Sequence, residues 1–273
     1  MPSIEIMKML AEKFKKGELN FLEDESEFVF SCEQCGKCCR NREDIVLSPH
    51  DFFHMVKGTG KDPQEVIERY TNVYVGDSSY MTVMQLRYRI EFDRQTTCYF
   101  LGRKDEKYYC RIQDYKPFVC RAYPLGRATV YAQNDQEFGG KAGRYFLQDI
   151  SYDGDCIGAR HAKSKNIKHR VIDWLGGKEK KEASERYNSL FNKFCLKLYQ
   201  TINLEKLSSI PSREAYLKYY NMMFFLFYLK YDFSGSEDDF LEQYEKNIED
   251  LLELSKVLVS AYPKLLKPKE VKP

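Results

Sequence analysis

The chain has 273 residues, of which 31% are charged, and a formal net charge of +2 from 43 basic and 41 acidic side chains. That length, with 43% apolar residues, supports one large domain or two modest ones and a core that needs no disulfide staples. The near balance of charge removes any global electrostatic case for nucleic acid. The mean hydropathy is −0.58, and the longest apolar run, Met222–Leu229, is far short of the roughly 20 residues that span a bilayer.

Residues 1–20 carry lysines throughout and no continuous apolar stretch, so they do not read as a signal peptide, and a cytoplasmic location is expected. In that compartment thiols stay reduced, and dense cysteines read as metal ligands rather than as a disulfide framework. Within residues 3–16, Ile4, Met7, Leu10 and Phe14 would share one face of a short helix. Glu27–Ser31 reads as a strand entering Cys32-Glu33-Gln34-Cys35-Gly36-Lys37-Cys38-Cys39, four cysteines in eight residues. In C-x2-C a tight turn aims two sulfurs at one centre. Adjacent cysteines cannot easily share one small ion, so Cys38 and Cys39 serve two centres or one polynuclear cluster.

Ile45–Leu47 is a short extended piece. Ser48-Pro49-His50-Asp51 and Asp62-Pro63-Gln64-Glu65 each start a helix, with a cap and a proline at the first helical position. These helices are expected to run to about Lys57 and Asn72. Met81–Phe92 alternates Leu86, Tyr88, Ile90 and Phe92 with Arg87, Arg89 and Glu91, which predicts an antiparallel strand with one wet face. Further cysteines stand at Cys98, Cys110, Cys120 and Cys156, with a polar turn over Gly102–Lys107 and strands expected over Arg127–Gln133 and Arg144–Ile150 around the glycines at 139–143. Eight of the nine cysteines thus lie between Cys32 and Cys156.

The remainder reads as helical. Tyr187, Leu190, Phe191, Phe194, Cys195, Leu198 and Ile202 form one stripe, which makes Cys195 a core thiol. A second helix follows Ser212 and carries Met222–Leu229, apolar all round and so central. A third starts near Ser236, and the Lys- and Pro-rich tail from Pro263 reads as disordered. The expected organisation is a lead-in over 1–27, a metal module over 28–165, a helical segment over 166–262 and a tail over 263–273. The fold class is α+β: a small irregular metal-stabilised module with short antiparallel strands, followed by a helical C-terminal segment.

The cysteine spacing resembles the CxxCxxCC family of zinc- or iron-chelating domains, the YkgJ-like cysteine-cluster proteins. The resemblance rests on Cys32, Cys35, Cys38 and Cys39; Cys98 with Phe100 and Leu101; Cys110 with Ile112; Pro117, Cys120, Arg121, Tyr123 and Pro124; and Cys156 with Gly158. It covers about residues 28–160. The chain departs from the family at Lys116, where arginine is usual, and at Tyr99 and Ile157, where proline is usual. The resemblance implies a metal or iron–sulfur centre held by the eight cysteines. Arg121 and Tyr123, inside the Cys-Arg-x-Tyr-Pro motif, are the cofactor-contact candidates. Some members resemble flagellin lysine N-methylases, but no residue here marks a site for S-adenosylmethionine, so a protein substrate and a methyl donor stay unsupported by motif.

Spacing alone allows an iron–sulfur cluster, 4Fe–4S included, or zinc, and contiguous cysteines suit a polynuclear centre better than one zinc ion. Lys37, Arg40, Arg111, Lys116 and Arg121 stand beside the ligands and could offset the charge of several thiolates. Two functional readings follow. One is a metal-cluster protein with a redox or group-transfer role; the other is a structural zinc module whose C-terminal helices bind a protein partner. His50 and His54 lie four residues apart on the first capped helix but lack the glutamate of H-E-x-x-H, and read as surface or core histidines. His161 and His169 flank a basic run, Lys163–Arg170, and read as exposed. The run lacks interleaved aromatics, so nucleic-acid binding is not expected. No P-loop, G-x-G-x-x-G or G-x-S-x-G pattern is present.

Overall fold

The computed structural model describes residues 12, 16, 21–42, 45–92, 94–128, 144–147, 156, 158 and 165–266. The helix expected over 3–16, the loop at 139–143, His161 and most of the tail lie outside them. In chain order the strands are β1 (Phe21–Leu22), β2 (Glu27–Val29), β3 (Val46–Leu47), β4 (Thr71–Val75), β5 (Thr82–Leu86), β6 (Tyr88–Ile90), β7 (Thr96–Cys98), β8 (Leu101–Lys104), β9 (Lys107–Cys110), β10 (Leu125–Ala128), β11 (Arg144–Leu147) and β12 (Lys168–Arg170). The α-helices are α1 (Pro49–Thr59), α2 (Pro63–Tyr70), α3 (Phe118–Ala122), α4 (Val171–Trp174), α5 (Lys178–Thr201), α6 (Arg213–Phe224) and α7 (Glu237–Ala261). The architecture is α+β: short antiparallel strands in small sheets, then a helical C-terminal region.

All strand pairs among the described residues are antiparallel: β1–β11–β10, β3–β5–β4, and the pairs β2–β12, β6–β7 and β8–β9. None of these strands exceeds five residues, so each sheet depends on what packs against it. The expected strand over Met81–Phe92 is two strands. Leu86 is buried, but Ile90 is 76% exposed and Phe92 wholly so. Alternation therefore identified extended backbone but not the wet face, because β6 leaves the core to pair with β7.

The two capped helices form as their sequence grammar predicts. Ser48 Oγ accepts from the Asp51 amide while Asp51 Oδ2 accepts from the Ser48 amide, a reciprocal box, and Asp62 caps α2 through the Gln64 amide. Asp51 also accepts the Phe118 amide at 2.6 Å, so the residue that starts α1 anchors the start of α3 as well.

One large core joins α1, α2 and β3–β5 to α5, α6 and α7, with Phe52, Phe53, Phe194, Phe240 and Tyr244 all but sealed from solvent. Tyr187, Phe194, Cys195, Leu198 and Ile202 are buried along the predicted stripe, and burial pushes the Cys195 thiol up to about 12. The Met222–Leu229 run continues α6 as a π-helical turn, Phe225–Leu229. Met223 and Leu226–Tyr228 are buried, whereas Met222 and Phe225 are each 43% exposed, so this segment has an outer face that composition concealed. At the start of the expected tail, Pro263–Leu265 is a 3₁₀ turn with Leu265 fully buried, tied by its carbonyl to the Asn203 amide.

A smaller core holds Phe28, Phe30, Leu125, Tyr145, Val171 and Leu175. It forms because β12 pairs with β2, and Trp174 donates to the carbonyls of Ala122 and Tyr123, both at 3.1 Å. His169, expected to be exposed, is instead hydrogen-bonded to the Phe30 carbonyl at 2.9 Å and packed on Trp174. Its basic neighbours Lys168 and Arg170 pair with Glu27 and Glu25.

Candidate metal centre

The Cys32–Cys39 segment is a loop that closes in one 3₁₀ turn, Lys37–Cys39, with the Cys39 amide on the Gly36 carbonyl. Gly36 holds φ +70°, and a Cβ there would lie 2.9 Å from the Tyr108 ring, so both conformation and space demand glycine. The Gln34 carbonyl accepts the Tyr108 amide, which fastens the loop to the β8–β9 hairpin carrying Cys110. An isolated bridge from Arg40 to Thr97 fastens its other end to β7, which carries Cys98. Cys120 sits on α3, held by the Asp51 anchor. Three hairpin or helix contacts thus deliver sulfurs from four places in the sequence.

The thiols influence one another electrostatically in a connected pattern. Cys32 feels Cys38 and Cys35; Cys39 feels Cys98 and Cys120; Cys110 feels Cys38; and Cys120 feels Cys98, Cys38 and Cys110. The Cys38 and Cys39 sulfurs are 3.9 Å apart. Seven of the eight expected ligands therefore form one group. The eighth, Cys156, packs against the smaller core. A Cβ on neighbouring Gly158 would lie 2.3 Å from the Ser31 carbonyl oxygen, so this segment backs onto the residue before Cys32.

The group is graded in exposure. Cys32 and Cys38 are exposed, Cys35, Cys39, Cys110 and Cys120 half-buried, and Cys98 buried. Burial pushes Cys98 up to about 11 and raises Cys32, Cys110 and Cys120. Cys38 goes the other way, down to about 7, because of its hydrogen bond with the Cys39 thiol, and Cys39 rises correspondingly. So many thiolates cannot coexist here unless a cation neutralises them, which is what a bound metal does. The donor set fits a thiophilic metal or cluster. Among the described residues no three cysteine sulfurs lie within 4.8 Å of one another. Sulfurs that share one zinc ion stand about 3.8 Å apart, from a Zn–S bond of about 2.3 Å.

Sequence reasoning missed two groups at this centre. Tyr88 on β6 feels Cys120, Cys98 and Cys39, and burial raises its hydroxyl, which stays protonated and able to donate to sulfur. Arg42 acts on Cys38. The signal for Tyr88 was its place on the β6–β7 pair directly opposite Cys98, invisible without the register. Of the expected cations, Lys116 acts on Cys32, Cys38 and Cys110. Arg40 lies over the Tyr108 ring at 4.3 Å, and with Arg89, Arg103 and Arg111 it lines an open hollow of about 470 Å³.

The two expected cofactor contacts each have partners within the protein. Arg121 donates to Ser184 on α5 at 3.0 Å and lies over Phe118, with its Nε buried and unpartnered. Tyr123 packs edge-on against Phe30. A second cavity, about 350 Å³, lies between α1, β5 and α5, lined by Leu47, Met81, Val83, Phe118, Tyr187 and Tyr228. That volume is within the range of small-molecule sites. Among the described residues no helix is long and apolar enough to cross a membrane.

No curated protein and no solved structure matches the chain. Residues 31–140 match the family model CxxCxxCC, described as "Putative zinc- or iron-chelating domain". The segment that matches holds the loop, both hairpins and α3, and with them all seven of the grouped cysteines, so this part of the chain is similar to a zinc- or iron-chelating domain.

Proposed function

We propose that the protein holds a polynuclear iron–sulfur centre through Cys32, Cys35, Cys38, Cys39, Cys98, Cys110, Cys120 and Cys156, and uses it in a redox or group-transfer role in the cytoplasm. The observation that carries this reading is the gathering of seven thiols, more than one four-coordinate zinc ion can use, with the adjacent Cys38 and Cys39 sulfurs 3.9 Å apart. Lys116, Arg42 and the four arginines of the nearby hollow supply positive potential that would offset a negative cluster. Cys32 and Cys38 are the exposed edge, the place where an electron or a reacting group would arrive.

Group transfer to a protein lysine is a narrower form of the proposal, and S-adenosylmethionine is the donor it would need. The cavity beside α1 and α5 offers apolar walls and the Arg121–Ser184 pair at its edge. The zinc alternative keeps the same ligands and treats the metal as a substitute for apolar core in the module, with the C-terminal helices engaging a protein partner.

The deciding experiment is iron, zinc and acid-labile sulfide analysis with an absorption spectrum on protein purified without oxygen. Iron and sulfide in near-equal amounts with a brown colour is the expected result. Colourless protein with stoichiometric zinc and no sulfide would replace the redox reading with the structural one. Binding of S-adenosylmethionine, measured by calorimetry, is expected only if the group-transfer form holds.

A further inference from the structure

Outside the cysteine group, three donor atoms converge at the seam between the chelating domain and the C-terminal helices. His50 Nε2 lies 2.6 Å from Glu237 Oε1, His54 Nε2 lies 3.4 Å from the same oxygen, and the two ring nitrogens are 3.1 Å apart. Among the described residues this is the group of His, Cys, Asp or Glu side chains whose ligand atoms all fall within 4.8 Å. His50 and His54 stand one turn apart on α1, while Glu237 is the first residue of α7, 187 positions after His50.

Hydrogen bonding alone serves this arrangement poorly. If His50 Nε2 carries a proton for Glu237, the same N–H faces His54 Nε2, and a proton on His54 as well would set two N–H groups head to head. One cation at the centre uses all three lone pairs at once. Tetrahedral zinc with bonds of about 2.0–2.1 Å holds its ligand atoms about 3.3 Å apart, so two of the three separations already fit and the third needs to widen by under 1 Å.

The surroundings prepare the donors. His50 is stacked on Tyr187 at 5.3 Å, tilted against Phe240 at 5.5 Å and edge-on to His54 at 4.6 Å, which fixes both ring planes. Asp51 does not compete, because its oxygens are taken by Ser48 and Phe118. Imidazole nitrogen and carboxylate oxygen are donors that suit a first-row divalent cation. The His50 side chain is 4% exposed, His54 17% and Glu237 32%, so an ion would enter from the Glu237 side and keep a coordination position toward solvent.

We infer that His50, His54 and Glu237 form a second metal site, a two-histidine, one-carboxylate site for a first-row divalent cation of the zinc class, which clips α1 to the start of α7. It is chemically distinct from the cysteine centre, since nitrogen and oxygen donors replace thiolates, and it holds or fails independently of what the cysteines bind.

The test uses full-length protein with its cysteine centre first filled and its metal content measured, then dialysed to equilibrium with zinc. Wild type is expected to take up one more zinc ion per chain than Glu237→Gln or His54→Ala, and Cys38→Ser to retain that extra ion. Zinc in about hundredfold excess over its dissociation constant is expected to raise the melting temperature of wild type by roughly 5 °C and of Glu237→Gln not at all. Glu237→Gln keeps the size and hydrogen bonding of the partly exposed side chain, so it decides the matter even where His54→Ala folds poorly. Equal zinc uptake by wild type and Glu237→Gln, with equal melting responses, would overturn the inference.

Discussion

The loop from Cys32 to Arg40 and the helical region from α5 to α7 solve the folding problem by opposite means. The loop exposes Cys32 and Cys38, runs through positive φ at Gln34 and Gly36, and has a single 3₁₀ turn. The helices seal Phe194, Leu198, Phe240, Tyr244 and Leu251 from solvent and satisfy their backbone internally. Apolar burial, about 25 cal/mol per Å², stabilises the second region outright. The first gains little from burial, so under the proposed function its geometry depends on ligand bonds to a metal. Metal dependence should therefore be strong at one end of the molecule and slight at the other.

The largest break in that contrast comes from the ligands. Cys39→Ser and Cys120→Ser are expected to lose most of the bound metal and roughly 10 °C of melting temperature. Cys195→Ser, in the helical core, should keep its full metal content in elemental analysis and lose only about 1–3 kcal/mol from a buried hydroxyl. Metal loss in Cys195→Ser would dissolve the distinction between the two regions.

Asp51→Ala sharpens the comparison from the junction. It removes the reciprocal cap of α1 and the acceptor for the Phe118 amide, and should cost about 2–3 kcal/mol in denaturant unfolding. It should also weaken metal retention through displacement of Cys120, measurable by competition with a chelator. Gly36→Ala acts on the loop alone: the left-handed backbone and the approach to Tyr108 should cost about 1–2 kcal/mol, read as weaker metal affinity with unchanged helical circular dichroism.

A smaller, pH-dependent effect belongs to the seam between β10–β11 and α5. Glu185 accepts from Arg127 at 2.8 Å and from Tyr145 at 2.6 Å. Burial would raise its carboxyl, but these partners outweigh burial and lower it from 4.5. Its contribution is therefore present above the unfolded value near pH 4.5 and is lost as pH falls through the lower folded value. Glu185→Gln should reduce stability by about 1 kcal/mol at neutral pH, with the difference closing in acid melts. Smallest of all, Phe92→Ser should change stability by less than about 0.5 kcal/mol, since Phe92 is fully exposed. A large loss there would mean that β6 packs on a surface of its own.

Much of the local structure was legible. Ser48-Pro49 and Asp62-Pro63 specify helix starts because the caps satisfy amides within three residues, and the 187–202 stripe specifies a buried helix face because its period is 3.6. The failures are tertiary. Ile90 and Phe92 look like core by alternation, but β6 leaves the core to pair with β7; His169 and Leu265 look like surface by composition, yet Phe30 and Asn203, distant in sequence, hold them.

The sequence by itself determined the cysteine chemistry. Four thiols in eight residues and four more at matching motifs give the chain its likeness to a zinc- or iron-chelating domain, because ligand type and short-range turn geometry are written locally. Only the tertiary structure decided which thiols meet, that Tyr88 joins them, that Arg121 turns to α5, and that Glu237 completes what His50 and His54 begin. A short motif carries its own geometry, whereas a site assembled across 187 residues exists only after the helices that carry it have packed.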